Sequence, residues 1–250
     1  MRPTHIRDFF MKKLFYFFAL VSICLSFVQC ETLQTQQNST HKGHEYVDLG
    51  LSVKWATCNV GATTPDGLGD YFAWGEVEPK DYYGWSTYKY GSDENQLTKY
   101  CFKSDYGTFG KDGFVDLRSV LWPEDDAASV NWGGKWRTPT AEEIDELYNN
   151  CTWTWTTQNN MAGYLVTSKI KGYTDRSIFL PAAGIGYEDT RFCPPEYWEG
   201  FYWTSSLDIN HPNYAYMLSF SQDRVDWIIL SEYFFSFDRY FGSPVRAVYP

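Results

Sequence analysis

The chain has 250 residues, with 44% hydrophobic and 20% aromatic content and a net charge of −10. Apolar content on that scale supports a packed core and argues against disorder over most of the length. Without residues 1–30 the rest carries 17 basic and 30 acidic residues. An acidic surface repels phosphate backbones and anionic membrane surfaces, which argues against nucleic acid as a partner.

The stretch MKKLFYFFALVSICLSFVQC (11–30) has a short basic head, Lys12 and Lys13, and then an apolar run from Leu14 to Val28. This is the form of a secretory signal and is short for a membrane span. Residues 1–30 are therefore expected to be a signal segment, with Met11 a second candidate start. The run ends at Cys30, the expected lipidation site of a lipoprotein. Gln29 and Phe27 match the usual lipobox poorly, so ordinary signal cleavage nearby is the alternative. The polar, aperiodic stretch 31–44 reads as a flexible tether, leaving 45–250 as one domain. Cys58, Cys101, Cys151 and Cys193 form no C-x-x-C pair, so no zinc site is expected. After export they are open to disulfide pairing or to burial as isolated thiols.

Three aromatic-rich loops stand out: DYYGWSTY (81–88), PPEYWEGFYW (194–203) and SEYFFSFDRYFG (231–242). Aromatic faces stack on the C–H faces of sugars and bury much area at little rotamer cost. Tyr82, Tyr83, Trp85, Tyr197, Trp198 and Tyr202 are the candidate ligand-binding residues. The competing assignment is that these rings fill the core of a loop-rich fold. Asp125 and Asp126 are open to acid–base or oxygen-ligand chemistry, but acids after Pro123 are also ordinary turn and cap residues.

Strong helical periodicity is confined to one segment. Thr140 with Glu143 forms a capping box, and Ile144, Leu147, Tyr148 and Cys151 make one apolar stripe. Ahead of it, Gly133 and Gly134 suit a tight turn, Trp132 and Trp136 suit packing, and Arg137 suits a buried or half-buried ion pair. Strands are expected at 163–170 and 176–184, at 201–206, at 214–220 and 225–230, and at 243–250. The expected class is α+β and strand-dominated, with an antiparallel sheet, one clear helix and long loops.

Several phrases together resemble the Fibrobacter succinogenes major paralogous domain, a family of secreted and lipid-anchored Bacteroidetes and Fibrobacter proteins. They are EYVDLGLSVKWATCNVGA (45–62), GDYFAWGE (69–76), LTKYC (97–101), PEDDAASVNWGGKWRTPTAEEIDEL (123–147), NCTWTWTT (150–157), SIFLPAAG (177–184), YWTSS (202–206) and SPVRAV (243–248). WRTPTAEEIDEL and SPVRAV are more distantly similar to phrases of formylglycine-generating enzymes. That similarity implies a C-type-lectin-like fold.

Catalysis is not expected. Formylglycine-generating oxidases need a cysteine pair for copper, and no cysteine follows Cys193. In the expected domain the histidine supply is His211, while His41 and His44 fall in the expected tether. GWSTY (84–88) lacks the second glycine of a nucleophile elbow. Ser205 and Ser206 have no evident base. HPN (211–213) only partly matches a calcium-lectin phrase, so no metal or other cofactor is expected. The sequence thus points to a non-enzymatic binding or adhesion domain of the cell envelope or surface, with a glycan or protein ligand and a lipid anchor if Cys30 is acylated. The alternatives are a structural envelope component and, last, an acid-dependent hydrolase using Asp125 or Asp126.

Overall fold

The computed structural model describes residues 39–107, 115–192, 198–227 and 237–250. Over these residues the chain is α+β and strand-dominated, with antiparallel sheets and one clear helix.

Ordered structure begins earlier than the expected tether allows. β1 (Ser39–His41) and β2 (His44–Val47) form a hairpin. Its two-residue turn, Lys42–Gly43, has φ of 54° and 84°, the left-handed pair that matches strand twist. His44 stacks on Trp132 at 3.9 Å, and His41 packs on Tyr249 at 4.5 Å. Both histidines therefore belong to the domain. β2 pairs with β3 (Lys54–Ala56), which pairs with β13 (Val248–Tyr249), so the two ends of the fold share one sheet.

The described residues among 57–122 contain little regular structure. They lead to a 3-10 turn, Pro123–Asp125, and helix α1 (Ala127–Trp132). The sequence pattern did not reveal α1, because six residues are too short to show a period. Asp126 caps it by accepting the Ala128 and Ser129 N–H groups. α1 ends in Gly133, and Gly133 and Gly134 both have φ of 66°. A side chain at Gly134 would collide with the His41 ring.

Helix α2 (Ala141–Asn150) follows with the expected capping box, Thr140 and Glu143 bonding each other's backbone N–H. Arg137 Nη1 donates to Glu143 at 2.7 Å in a half-buried pair, which holds α2 to the strand-like approach to it. Ile144 and Leu147 are buried, while Tyr148 is 36% exposed. Cys151 is also buried, but it opens a strand rather than closing the helix.

β4 (Cys151–Gln158), β5 (Met161–Ser168) and β6 (Ser177–Pro181) form a meander. The short pair β7 (Ile185–Tyr187) and β8 (Thr190–Phe192) comes next. β9 (Glu199–Leu207), β10 (Tyr214–Ser221), β11 (Arg224–Trp227) and β12 (Phe237–Asp238) build the last sheet around β10. One core gathers around Trp74, Trp136 and Trp203. A second gathers around Trp55, Leu147, Val166 and Phe220. α2 seals the second core with Ile144 and Leu147.

Replacing Thr140 by Ala should lower stability by about 1 kcal/mol through the lost cap. Replacing Leu147 by Ala should cost about 2–5 kcal/mol through cavity formation. Urea denaturation of the two variants checks the order: an equal loss would mean that α2 does not seal this core.

Candidate functional site

The end of α2, strand β4 and the β10–β11 hairpin border an open surface depression. β4 reads CTWTWTTQ, and its side chains alternate between faces. Thr152 and Thr154 are exposed, while Trp153 and Trp155 are half-buried. The turn Asn159–Asn160 has φ of 48° and 67°, again a primed hairpin turn, and it sets the register that places Trp155 opposite Tyr164. Trp153 and Trp155 both meet the Tyr164 ring edge-on, at 5.6 and 5.0 Å. Tyr148, from the last turn of α2, lies 6.2 Å from Trp153. The Tyr164 hydroxyl donates to the carbonyls of Ser221 and Gln222, which ties this aromatic wall to the β10–β11 turn.

The result is an open groove of about 390 Å³. Its wall is Tyr148, Trp153 and Tyr164, with Val225 beside them. Asn149, Lys169, Asp223 and Arg224 form an exposed polar rim. The rim thus carries two cations and one carboxylate. The indole Nε1 of Trp153 is buried and has no acceptor among the described residues. Cys151 lies at the base; burial pushes its thiol up to about 11 against the opposing charge of Lys169. The thiol stays protonated at neutral pH and is a poor nucleophile.

The expected aromatic site residues separate. Tyr83 and Tyr202 are core residues, 2% and 1% exposed. The Tyr83 ring packs against Gly186 and Gly242, and its hydroxyl donates to the Tyr71 carbonyl at 2.6 Å. The Tyr202 hydroxyl donates to the Pro181 carbonyl at 2.7 Å. Both rings fill space and satisfy buried carbonyls, so neither offers a face to a ligand. Tyr82 is 38% exposed, and Trp198 is half-buried against the second core. Tyr197 lies outside the described residues.

Trp85 is half-buried and meets Tyr240 at 5.1 Å, which brings two of the three aromatic loops together. Tyr240 and Tyr187 in turn stack on Phe241 at 4.7 and 5.2 Å. Here the rings use their faces on one another. Residues 231–236 of the third loop lie outside the described residues.

Both members of the acidic pair are buried in hydrogen-bond networks. Asp126 is 3% exposed and accepts from Ala128, Ser129 and both the N–H and hydroxyl of Thr138. Burial pushes its carboxyl up against those bonds. Asp125, 2% exposed, accepts from Lys99 and from the Tyr90 and Tyr100 hydroxyls. Burial alone would raise Asp125, but these donors outweigh it and hold the carboxyl below its ordinary value. Asp125 borders a small cavity of about 10 Å³ whose lining does not include Asp126. Ser205 Oγ donates to the Pro139 carbonyl, Ser206 Oγ accepts the Ala141 N–H, and His211 pairs with Asp208 at 3.1 Å. Cys58, Cys101 and Cys151 are free thiols, and Cys193 lies outside the described residues. Among the described residues no three His, Cys, Asp or Glu side chains are grouped to hold a metal.

The groove was missed in the sequence because its parts come from separate elements. The signal that could have found it is the TWTWTT alternation followed by Asn-Asn, a strand and a primed turn. Comparison with protein-family models, curated proteins and solved structures returns no match.

Asp238 supplies a pH test of the second aromatic surface. Burial, with the charge of Glu94, raises its carboxyl from 3.8 to about 6 against hydrogen bonds from Asn213 and Tyr240. Between these values the folded state keeps a proton that the unfolded chain has lost. This contribution to stability is therefore full below 3.8 and is lost as pH rises through about 6. Thermal melts should show a falling slope across that window, and Asp238→Asn should flatten it. An unchanged slope in the variant would assign the effect to other groups.

Proposed function

We propose that the chain is a non-enzymatic binding domain of the cell envelope or cell surface, and that the groove between α2, β4 and the β10–β11 turn takes a glycan. The groove carries this reading. Its size falls within the range of about 300–1,000 Å³ common to ligand sites. Its wall presents Tyr148 and the half-buried Trp153 for the C–H faces of a sugar, and its rim presents amide, ammonium, guanidinium and carboxylate groups for hydroxyls. The signal-like segment 11–30 and Cys30 support export and anchoring. The resemblance to the Fibrobacter succinogenes major paralogous domain, and through it to lectin-like proteins, supports the same assignment.

A structural or assembly role in the envelope is the second reading. One observation favours it. Val115, Leu117, Val120 and Trp122 are 39–65% exposed within eight residues. Clustered apolar exposure of this kind marks interaction surfaces.

A glycan array probed with the wild-type chain and with Trp153→Ala separates the two. Binding that falls about tenfold or more in the variant, about 1.4 kcal/mol, while the variant still melts in one cooperative transition, supports the groove. No glycan bound at high protein concentration, with co-purification of a fixed envelope complex, would replace the first reading by the second.

A further inference from the structure

β4 is an edge strand: in its sheet the order is β4-β5-β6, and no described strand pairs with its outer side. It is eight residues long and pairs with β5 in unbroken register from Cys151 to Gln158. The two-residue turn makes Gln158 and Met161 a hydrogen-bonded pair, and these pairs alternate along an antiparallel ladder. Thr156, Thr154 and Thr152 therefore direct their backbone groups to β5. Trp153, Trp155 and Thr157 direct theirs outward. Edge strands are normally blunted by lysine, proline, a bulge or a covering element. β4 has no charged residue, no proline and no bulge, and Thr152, Thr154 and Thr157 are exposed.

The core of the strand, Thr152-Trp153-Thr154-Trp155-Thr156, reads the same in both directions. Antiparallel pairing with an identical strand about Thr154 sets Thr152 opposite Thr156 and Trp153 opposite Trp155. Both tryptophans have outward backbone groups, so each such pair can exchange two N–H···O bonds. Thr154 then faces its own copy as a non-hydrogen-bonded pair. Every side chain meets a compatible partner, and no like charges face each other across the axis despite the acidic character of the chain.

We propose that two copies of this chain associate through β4, in a two-fold arrangement centred on Thr154 that joins two three-stranded sheets into one. Such a closed interface uses the same patch on both copies. One pair of short strands buries less than a standard interface of about 1,200–2,000 Å², so the dimer is weak and concentration-dependent. The proposal stands independently of glycan binding.

The full chain in mild detergent, followed by sedimentation velocity over a concentration series, should shift from monomer to dimer. Thr154→Lys, which places two ammonium groups on the axis, should abolish the dimer and leave the melting temperature unchanged. Thr154→Cys should form a covalent dimer on oxidation, because non-hydrogen-bonded pairs lie about 4.5 Å apart at Cα, within disulfide reach. Thr152→Cys alone should not, whereas Thr152→Cys combined with Thr156→Cys should. A chain that stays monomeric at every concentration, a dimer indifferent to Thr154→Lys, or equal cross-linking by Thr152→Cys and Thr154→Cys would each overturn the proposal.

Discussion

The fold depends on one buried guanidinium. Arg239 is 0% exposed and has no carboxylate among its hydrogen-bond partners. Its Nε donates to the Tyr88 hydroxyl, Nη1 to the carbonyls of Tyr100 and Pro212, and Nη2 to the carbonyl of Lys99. Its plane lies 5.0 Å from the Trp74 ring. Burying a charge costs several kcal/mol. Charge-assisted bonds to four groups and the ring face offset that cost. What this achieves is connection, because one side chain joins three segments that have almost no regular structure.

The same device recurs nearby. Asp125 sits on the far side of Tyr100, accepting from it at 2.6 Å, so a buried anion balances the buried cation through one tyrosine. Arg246, also buried, binds the Asn59 side chain and the carbonyls of Ala56 and Thr57, fixing the exit from β3. A long loop region would otherwise expose many unpaired carbonyls. Here arginines and tyrosines from distant positions satisfy them. This explains the high tyrosine content as much as any ligand does: Tyr71, Tyr83, Tyr88 and Tyr202 each donate a buried hydroxyl to a backbone carbonyl.

That use of tyrosine also explains where the candidate site lies. The first core absorbs its rings into loop anchoring, so the described residues of the aromatic loops offer few free faces. The meander of β4, β5 and β6 has its backbone satisfied by its own ladder on the inner side. Half-buried Trp153 and exposed Tyr148 are left to line a groove, over a buried Tyr164 that donates to the carbonyls of Ser221 and Gln222. Tyr83 and Tyr202 looked like ligand contacts from composition alone. In space they do the same work as the other anchoring tyrosines.

Local physics was legible in the sequence. The Thr140–Glu143 box, an ion pair at Arg137 and the strands β5, β6, β9 and β10 depend on neighbours within a few positions, so spacing reveals them. Those features, with the signal-like segment and the acidic charge, follow from the order of residues alone. The tertiary structure decided the rest. Whether Trp153 lines a groove, Tyr202 fills a core or His44 joins the domain depends on partners in other elements, such as Val225, Pro181 and Trp132. Burial is set by which elements meet, and the same aromatic residue serves as readily for a wall as for a core.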